Sequence, residues 1–228
     1  WMLAGGADSM INPMGVAGFC KIQAMTTRNH EPQRASRPFD KDRDGFLLGE
    51  GAAFVVLEAL DAARARGARV YAELLGYGNS FDAYAISDPH PEGEGALAAM
   101  QRALADAQCD ASEVRSVNAH GTSTPKNDPA EAAALRALFG VHVPKVAVNA
   151  TKSMIGHLIG ASGSVELAAQ LLCAERGWLH PTINLDEPDV SARELHLPRQ
   201  PQRHASGVML KNSFAFGGQN ACLALRTP

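Results

Sequence analysis

The sequence predicts an α/β protein whose larger part carries a mostly parallel sheet finished by a β-hairpin. Three observations lead there. From Ala68 onward short apolar runs alternate with amphipathic helical segments, the order that builds β-α-β units. The helical segments close on glycines, among them Gly140 and Gly177, the usual stop signal. Two of the apolar runs, 114–119 and 146–150, each lead into a histidine-bearing turn followed by a helix. In an open α/β sheet the carboxyl ends of neighbouring strands are where ligands bind.

Taken in order, residues 2–8 read as an apolar strand running into a glycine turn, without a lead-in. Residues 28–45 are polar and rich in charge, which predicts a surface loop. The valine- and leucine-rich run 46–60 suits a strand buried on both faces. A short helix over 61–67 stops at Gly67. A strand over 70–77 and a loop through Pro89 and Pro91 lead to a helix over 95–107, where Leu97, Met100, Leu104 and Ala107 share one face. The helix over 128–139 has clear punctuation: Asp128 as N-cap, Pro129 in the first turn, Glu131 at the capping-box position and Gly140 as the stop. A helix over 164–176 follows the strand 146–150. Strands 207–214 and 220–225 flank the turn Ala215-Phe-Gly-Gly-Gln219.

Composition narrows the function classes. The chain has 228 residues, 46% hydrophobic and 20% charged, which is ordinary for a globular protein able to bury a substantial core. A formal net charge of −3 argues against a nucleic-acid partner. No apolar run approaches the roughly 20 residues that cross a bilayer, and the first residues lack the basic region of a signal peptide. Cys20, Cys109, Cys173 and Cys222 are scattered without the spacing of a zinc site or redox dithiol, so reduced thiols in the cytoplasm are expected.

Two patterns are decoys. Asp40-Lys-Asp-Arg-Asp-Gly45 imitates the start of a calcium loop, but the twelfth position, which should hold a bidentate Glu, is Gly51. The glycine clusters lack the Gly-Lys-Ser/Thr ending of a phosphate loop, and close backbone packing explains them better. The pair His120 and His157 is different. Two histidines in equivalent positions, with Lys152 five residues before the second, can converge on one reacting atom. The Lys152 ammonium would disfavour a further positive charge and keep the imidazoles neutral, each with one N–H to donate. Two donors aimed at one carbonyl oxygen stabilise an enolate as its charge develops. Glu131 has two readings, a helix-cap partner of Asp128 or a carboxylate reaching Lys152. Thr122 and Thr124 either offer hydroxyls to one side or stabilise a turn. Phe216, beside two glycines in Phe214-Ala-Phe-Gly-Gly, either gates a pocket or packs in the core.

Five segments together resemble the elongating β-ketoacyl-acyl-carrier-protein synthases of the ketosynthase II type, members of the thiolase superfamily. These are Val117-Asn-Ala-His-Gly-Thr-Ser-Thr-Pro, Thr151-Lys-Ser-Met-Ile-Gly-His-Leu-Ile-Gly-Ala-Ser-Gly, Asn212-Ser-Phe-Ala-Phe-Gly-Gly-Gln-Asn, Arg37-Pro-Phe-Asp-Lys-Asp-Arg-Asp-Gly-Phe and Pro181-Thr-Ile-Asn-Leu-Asp. The resemblance implies a thiolase-like fold, a layered α-β-α-β-α arrangement, with 1–67 ending a first half and 68–228 forming the complete second half. It implies a decarboxylative Claisen condensation in fatty-acid or polyketide synthesis. By motif, His120 and His157 bind the malonyl thioester oxygen, Lys152 orders the site and Glu131 is its acidic partner. Thr122 and Thr124 bind the phosphopantetheine arm. Phe216 gates the acyl pocket, with Phe214 and Gly217 of the same turn counted among the substrate-binding residues. The implied partners are acyl carrier protein, loaded with acyl or malonyl groups, and a segment or subunit that carries the nucleophilic cysteine. Complete units are expected to dimerise. No tightly bound cofactor is expected, since phosphopantetheine arrives on the carrier protein.

The sequence also departs from the pattern. The nucleophile of these enzymes lies in a Thr-Ala-Cys type turn at a helix start, where thiolate is favoured, and none of the four cysteines has that context. The chain therefore reads as the later part of a ketosynthase, and its 228 residues expressed alone should aggregate or bind another polypeptide. Ile155, Ala215 and Gln219 replace more usual residues, and Ala215 would stiffen the turn beside Phe216. A degradative thiolase shares the Gly156–Gly163 pattern but needs a cysteine where this chain has Phe214-Ala-Phe216. A non-catalytic partner resembling a chain-length factor, and a module that only holds acyl-pantetheine, are the other readings.

Overall fold

A computed structural model describes residues 1–203 and 206–227. Strand β1 (Met2–Asp8) pairs antiparallel with β2 (Gly51–Leu57), and between them lies helix α1 (Pro13–Lys21). Helix α2 (Leu60–Ala65) leads to β3 (Glu73–Phe81), α3 (Glu94–Asp106), β4 (Val114–Asn118), α4 (Asn127–Phe139) and β5 (Ala147–Asn149). Then come α5 (Lys152–Ile155), α6 (Ser162–Glu175), the short antiparallel pair β6 (Trp178–Leu179) and β7 (Gln202–Arg203), and the hairpin β8 (Val208–Ala215) and β9 (Gln219–Arg226).

The main sheet runs β3-β9-β8-β4-β5. Its β8–β4 and β4–β5 pairings are parallel, while β3–β9 and β9–β8 are antiparallel. The expected mostly parallel sheet is thus a mixed one. The final hairpin does not hang on an edge but inserts between β4 and β3.

Period-two alternation along the hairpin separates two cores. Leu210, Cys222 and Ala224 face the cluster built by α3 and α4, with Val117, Met100 and Leu135. Met209, Leu223 and Leu225 face Leu167 and Leu171 of α6. On its other side α6 packs against β1 and β2, so helices, sheet, helix and second sheet are stacked in layers. The close fit of α3 on the sheet depends on glycine. A Cβ on Gly78 would lie 2.0 Å from the Ala99 carbonyl oxygen, and one on Gly76 would lie 2.5 Å from that of Ala103.

Two local expectations need correction, and one helix is added. The stretch 28–45 is not a surface loop throughout, because Ser36, Arg37, Phe39 and Asp40 are buried. Phe39 sits in the main core. Asp40 accepts from Arg37 Nε at 2.9 Å and from the amides of Asp42, Asp186 and Glu187; these bonds explain its place in a sequence that imitates a calcium loop. Strand β2 is not buried on both faces, since Phe54 and Val56 are 55% and 60% exposed. Helix α1 went unforeseen although its signal is present. Asn12 accepts the Gly15 amide at 2.9 Å and Pro13 occupies the first turn, the favoured N-terminal pairing.

Candidate active site

Strands β4 and β5 are parallel neighbours in register, Asn118 opposite Asn149, so the chain leaves both at one edge of the sheet. His120 follows β4, and Lys152 and His157 follow β5. The His120 turn is held by α4. Glu131 accepts the amides of His120 and Gly121, both at 2.8 Å, and Nδ2 of Asn212 at 3.1 Å. Asp128 accepts the amides of Phe39 at 2.8 Å and Ser123 at 3.2 Å. Neither carboxylate caps the helix, contrary to the sequence expectation. Helix α4 begins at Asn127, and its amide is taken by Thr124 Oγ1 at 3.2 Å. The same sequence pattern can serve a cap or the preceding loop, and here four amides from two loops claim both acids. Burial pushes the Asp128 and Glu131 carboxyls above their ordinary range.

The second turn depends on Gly156, at φ +73°, where a Cβ would lie 2.8 Å from the Leu47 carbonyl oxygen. The adjoining His157 amide donates to that same oxygen at 2.6 Å. The imidazoles of His120 and His157 then meet edge to face, with centroids 5.4 Å apart.

Hydrogen bonding fixes their tautomers. At His157, Nδ1 accepts the Ile159 amide at 3.0 Å and lies 2.9 Å from Ser162 Oγ. That hydroxyl oxygen already accepts the Leu158 amide, leaving its proton for the ring. At His120, Lys152 Nζ stands 3.3 Å from Nδ1 and donates to the His120 carbonyl at 2.6 Å. An ammonium has nothing to accept with, so Nδ1 must be the acceptor. Each neutral ring therefore carries its proton on Nε2. Burial, and next the Lys152 charge, hold both imidazoles well below the usual pKa of 6.5. Each of the two adjacent neutral rings thus has one N–H to donate.

Lys152 does not find its counter-ion in Glu131, whose oxygens are engaged by backbone amides. The partner is Glu166 of α6, with Oε1 2.6 Å from Lys152 Nζ and Oε2 2.7 Å from Lys211 Nζ. Burial raises the Glu166 carboxyl, but the two ammoniums outweigh it and hold it below the ordinary range. Burial also lowers Lys152. Sequence reasoning missed Ser162, Glu166, Lys211 and Asn212. For Glu166 and Lys211 a signal existed: Glu166 stands between the apolar residues Val165 and Leu167, and Lys211 directly follows the apolar run 208–210.

A cleft of about 920 Å³ opens in front of the histidines, lined also by Thr122, Thr124, Phe214 and Phe216. The two threonine hydroxyls lie 2.9 Å apart. Phe214 is buried, its ring centroid 5.5 Å from that of His120. Phe216 is 48% exposed, followed by Gly217 and Gly218, both at φ +84°. The Gly217 amide donates to the Ile86 carbonyl at 2.6 Å. None of the four cysteines lines the cleft. Burial pushes the Cys222 thiol up to about 12 and raises that of Cys173. Among the described residues no helix is long and apolar enough to cross a membrane.

Comparison with known proteins matches residues 1–63 to the description "Beta-ketoacyl synthase, N-terminal domain" and residues 71–186 to "Beta-ketoacyl synthase, C-terminal domain". The chain is 46% identical over 224 residues to 3-oxoacyl-[acyl-carrier-protein] synthase 2 of Coxiella burnetii, covering 98% of this chain and 54% of that protein. It superposes with a TM-score of 0.96 and 34% identity on a chain of AntDE:AntF, a type II PKS acyl-carrier protein in complex with its ketosynthase bound to the hexaketide, covering 100% and 56% of the two chains. Against a chain of the ishigamide ketosynthase/chain length factor the TM-score is 0.89 at 38% identity, covering 99% and 53%. The chain spans about half the length of the curated relatives it matches.

Proposed function

The chain belongs to the beta-ketoacyl synthase family, and on that premise we propose that it supplies the decarboxylation half of a β-ketoacyl-ACP synthase active site. The substrate is a malonyl thioester on the phosphopantetheine arm of acyl carrier protein. Its thioester oxygen accepts Nε2–H from His120 and from His157. The bond between the malonyl methylene carbon and its carboxylate breaks, carbon dioxide leaves, and the electron pair passes into an enolate whose oxygen the two donors hold. The methylene carbon then attacks an acyl thioester carried by a cysteine outside these residues, and that cysteine leaves as thiolate. Donors of this kind are worth about 10²–10³ in rate each. Thr122 and Thr124 offer hydroxyls to the arm, Phe216 borders the acyl channel, and Lys152 orients His120. Complete units dimerise and act in the cytoplasm, with residues 68–228 as the second half of the unit and no tightly bound cofactor.

The observation that carries this reading is the pair of occupied Nδ1 atoms on adjacent rings, which leaves both Nε2–H groups free to donate. In the complete enzyme, His120→Ala and His157→Ala should each abolish carbon dioxide release from malonyl-ACP while acyl transfer to the cysteine persists. Undiminished release would contradict the assignment. A second reading, a non-catalytic partner resembling a chain-length factor, draws on the absence of all four cysteines from the cleft lining. It predicts no carbon dioxide release by any complex in which this chain provides the only His120/His157 pair.

A further inference from the structure

Behind the two histidines the buried charges are uneven. Glu166 is a single carboxylate between two ammoniums, Lys152 at 2.6 Å and Lys211 at 2.7 Å. Lys211 extends from β8 and is buried; it also donates to the Asn212 carbonyl and reaches Ser213 Oγ at 3.3 Å. The mechanism proposed above uses Lys152 and has no task for Lys211. A merely structural role explains it poorly, because a buried ion pair is weak support for stability and an apolar residue in the same strand would pack as well.

The other charged groups around the histidines have partners of their own. Glu131 faces His120 from α4, its oxygens committed to the His120 and Gly121 amides and to Asn212. Asp128, also on α4, has Arg43 at 3.7 Å. His180 binds Asn149 and Thr151. His157 itself is surrounded by uncharged partners, Ser162, the Ile159 amide and the Phe46 ring.

We propose that Lys211 is a positioning residue of the decarboxylation site: by taking half of Glu166, it leaves the Lys152 ammonium incompletely neutralised where it points at Nδ1 of His120. The consequence follows from Coulomb's law. With Lys211 present, a proton added to either imidazole meets one more positive charge, which acts on both rings in the same sense as that of Lys152. Without it, Glu166 and Lys152 form a neutral pair and protonation of the rings becomes easier. Lys211 thereby holds both rings as Nε2–H donors further into acid.

This inference rests on the proposed function only for its kinetic consequence, so its test has two arms. In the complete enzyme, imidazole titrations of His120 and His157 followed by NMR are compared for the unaltered protein, Lys211→Met and Lys211→Arg. Lys211→Met should raise both titration midpoints by about one unit, while Lys211→Arg leaves them in place. Malonyl-ACP decarboxylation should follow, with the acid limb of Lys211→Met moved up by the same amount and its rate at pH 8 within about threefold. If Lys211→Met does not fold, Lys211→Gln keeps a donor to Glu166 without the charge and serves the same comparison. Unmoved midpoints in the neutral variants would overturn the role of Lys211. Moved midpoints in a protein that releases no carbon dioxide would uphold it and sink the proposed function instead.

Discussion

His120 and His157 reach the same protonation state by different chemistry. His120 is steadied by charge, with an ammonium on its ring, a carboxylate under its amide and a second ion pair behind. His157 is steadied by neutral donors, a backbone amide and a serine hydroxyl. Both settings leave the proton on Nε2, and both residues line the cleft. The lesson is that one tautomer is set by an ammonium and the other by neutral donors, so substitutions should separate them.

The comparison breaks most severely at Lys152. Lys152→Met removes the one donor to Nδ1 of His120 among the described residues, and the ring is free to move its proton there. Decarboxylation should fall by about 10²–10⁴-fold, and ¹⁵N shifts should show a mixed tautomer at His120 with His157 unchanged. A persisting single tautomer at His120 would end the argument from Lys152. Glu131→Gln is next. The new amide group opposes one of the two backbone N–H donors, which should cost about 1–3 kcal/mol in urea unfolding and about tenfold in rate.

A pH series tests what the two settings share. Free imidazole would protonate as pH falls through 6.5, but both rings here are held well below that value. Decarboxylation should therefore persist through the window just under pH 6.5 and fail only as pH reaches the lowered values. The unfolded chain takes up those protons first, so the stability contributed by the neutral rings is lost as pH falls below 6.5. A rate that halves near pH 6.5 would refute this.

Ser162→Ala sharpens the contrast from the other side. The Ile159 amide still fixes the His157 tautomer, so the rate should drop less than tenfold, while the Leu158 amide loses its acceptor at a cost of about 1 kcal/mol. The smallest effect concerns Cys222. With its thiol raised to about 12, it should resist alkylation at pH 8 until the protein unfolds, whereas exposed Cys20 reacts at once.

Much of the fold was legible in the sequence because its signals are local. Strand–helix alternation after Ala68, the glycine stops and the two histidine turns each depend on residues a few positions apart, and such patterns survive in the structure with small shifts of boundary. The Asn12-Pro13 start of α1 was equally local and simply passed over. The turn of charged residues before Gly45 was misread because burial of Arg37 and Asp40 depends on their meeting each other and the Asp186 and Glu187 amides, far along the chain.

From the sequence alone came the two histidines that meet, His120 and His157, and the cation beside them, since repeated strand–turn–helix units bring those residues to one end of the sheet. Which carboxylate answers Lys152 was decided only by tertiary structure. Glu131, on the helix following His120, was the nearer candidate in that motif, but its oxygens turn to the backbone, while Glu166 on α6 and Lys211 on β8 are brought in by the order of strands in the sheet. Local patterns specify the direction of a chain; the partner of a buried charge depends on which elements the sheet lays side by side.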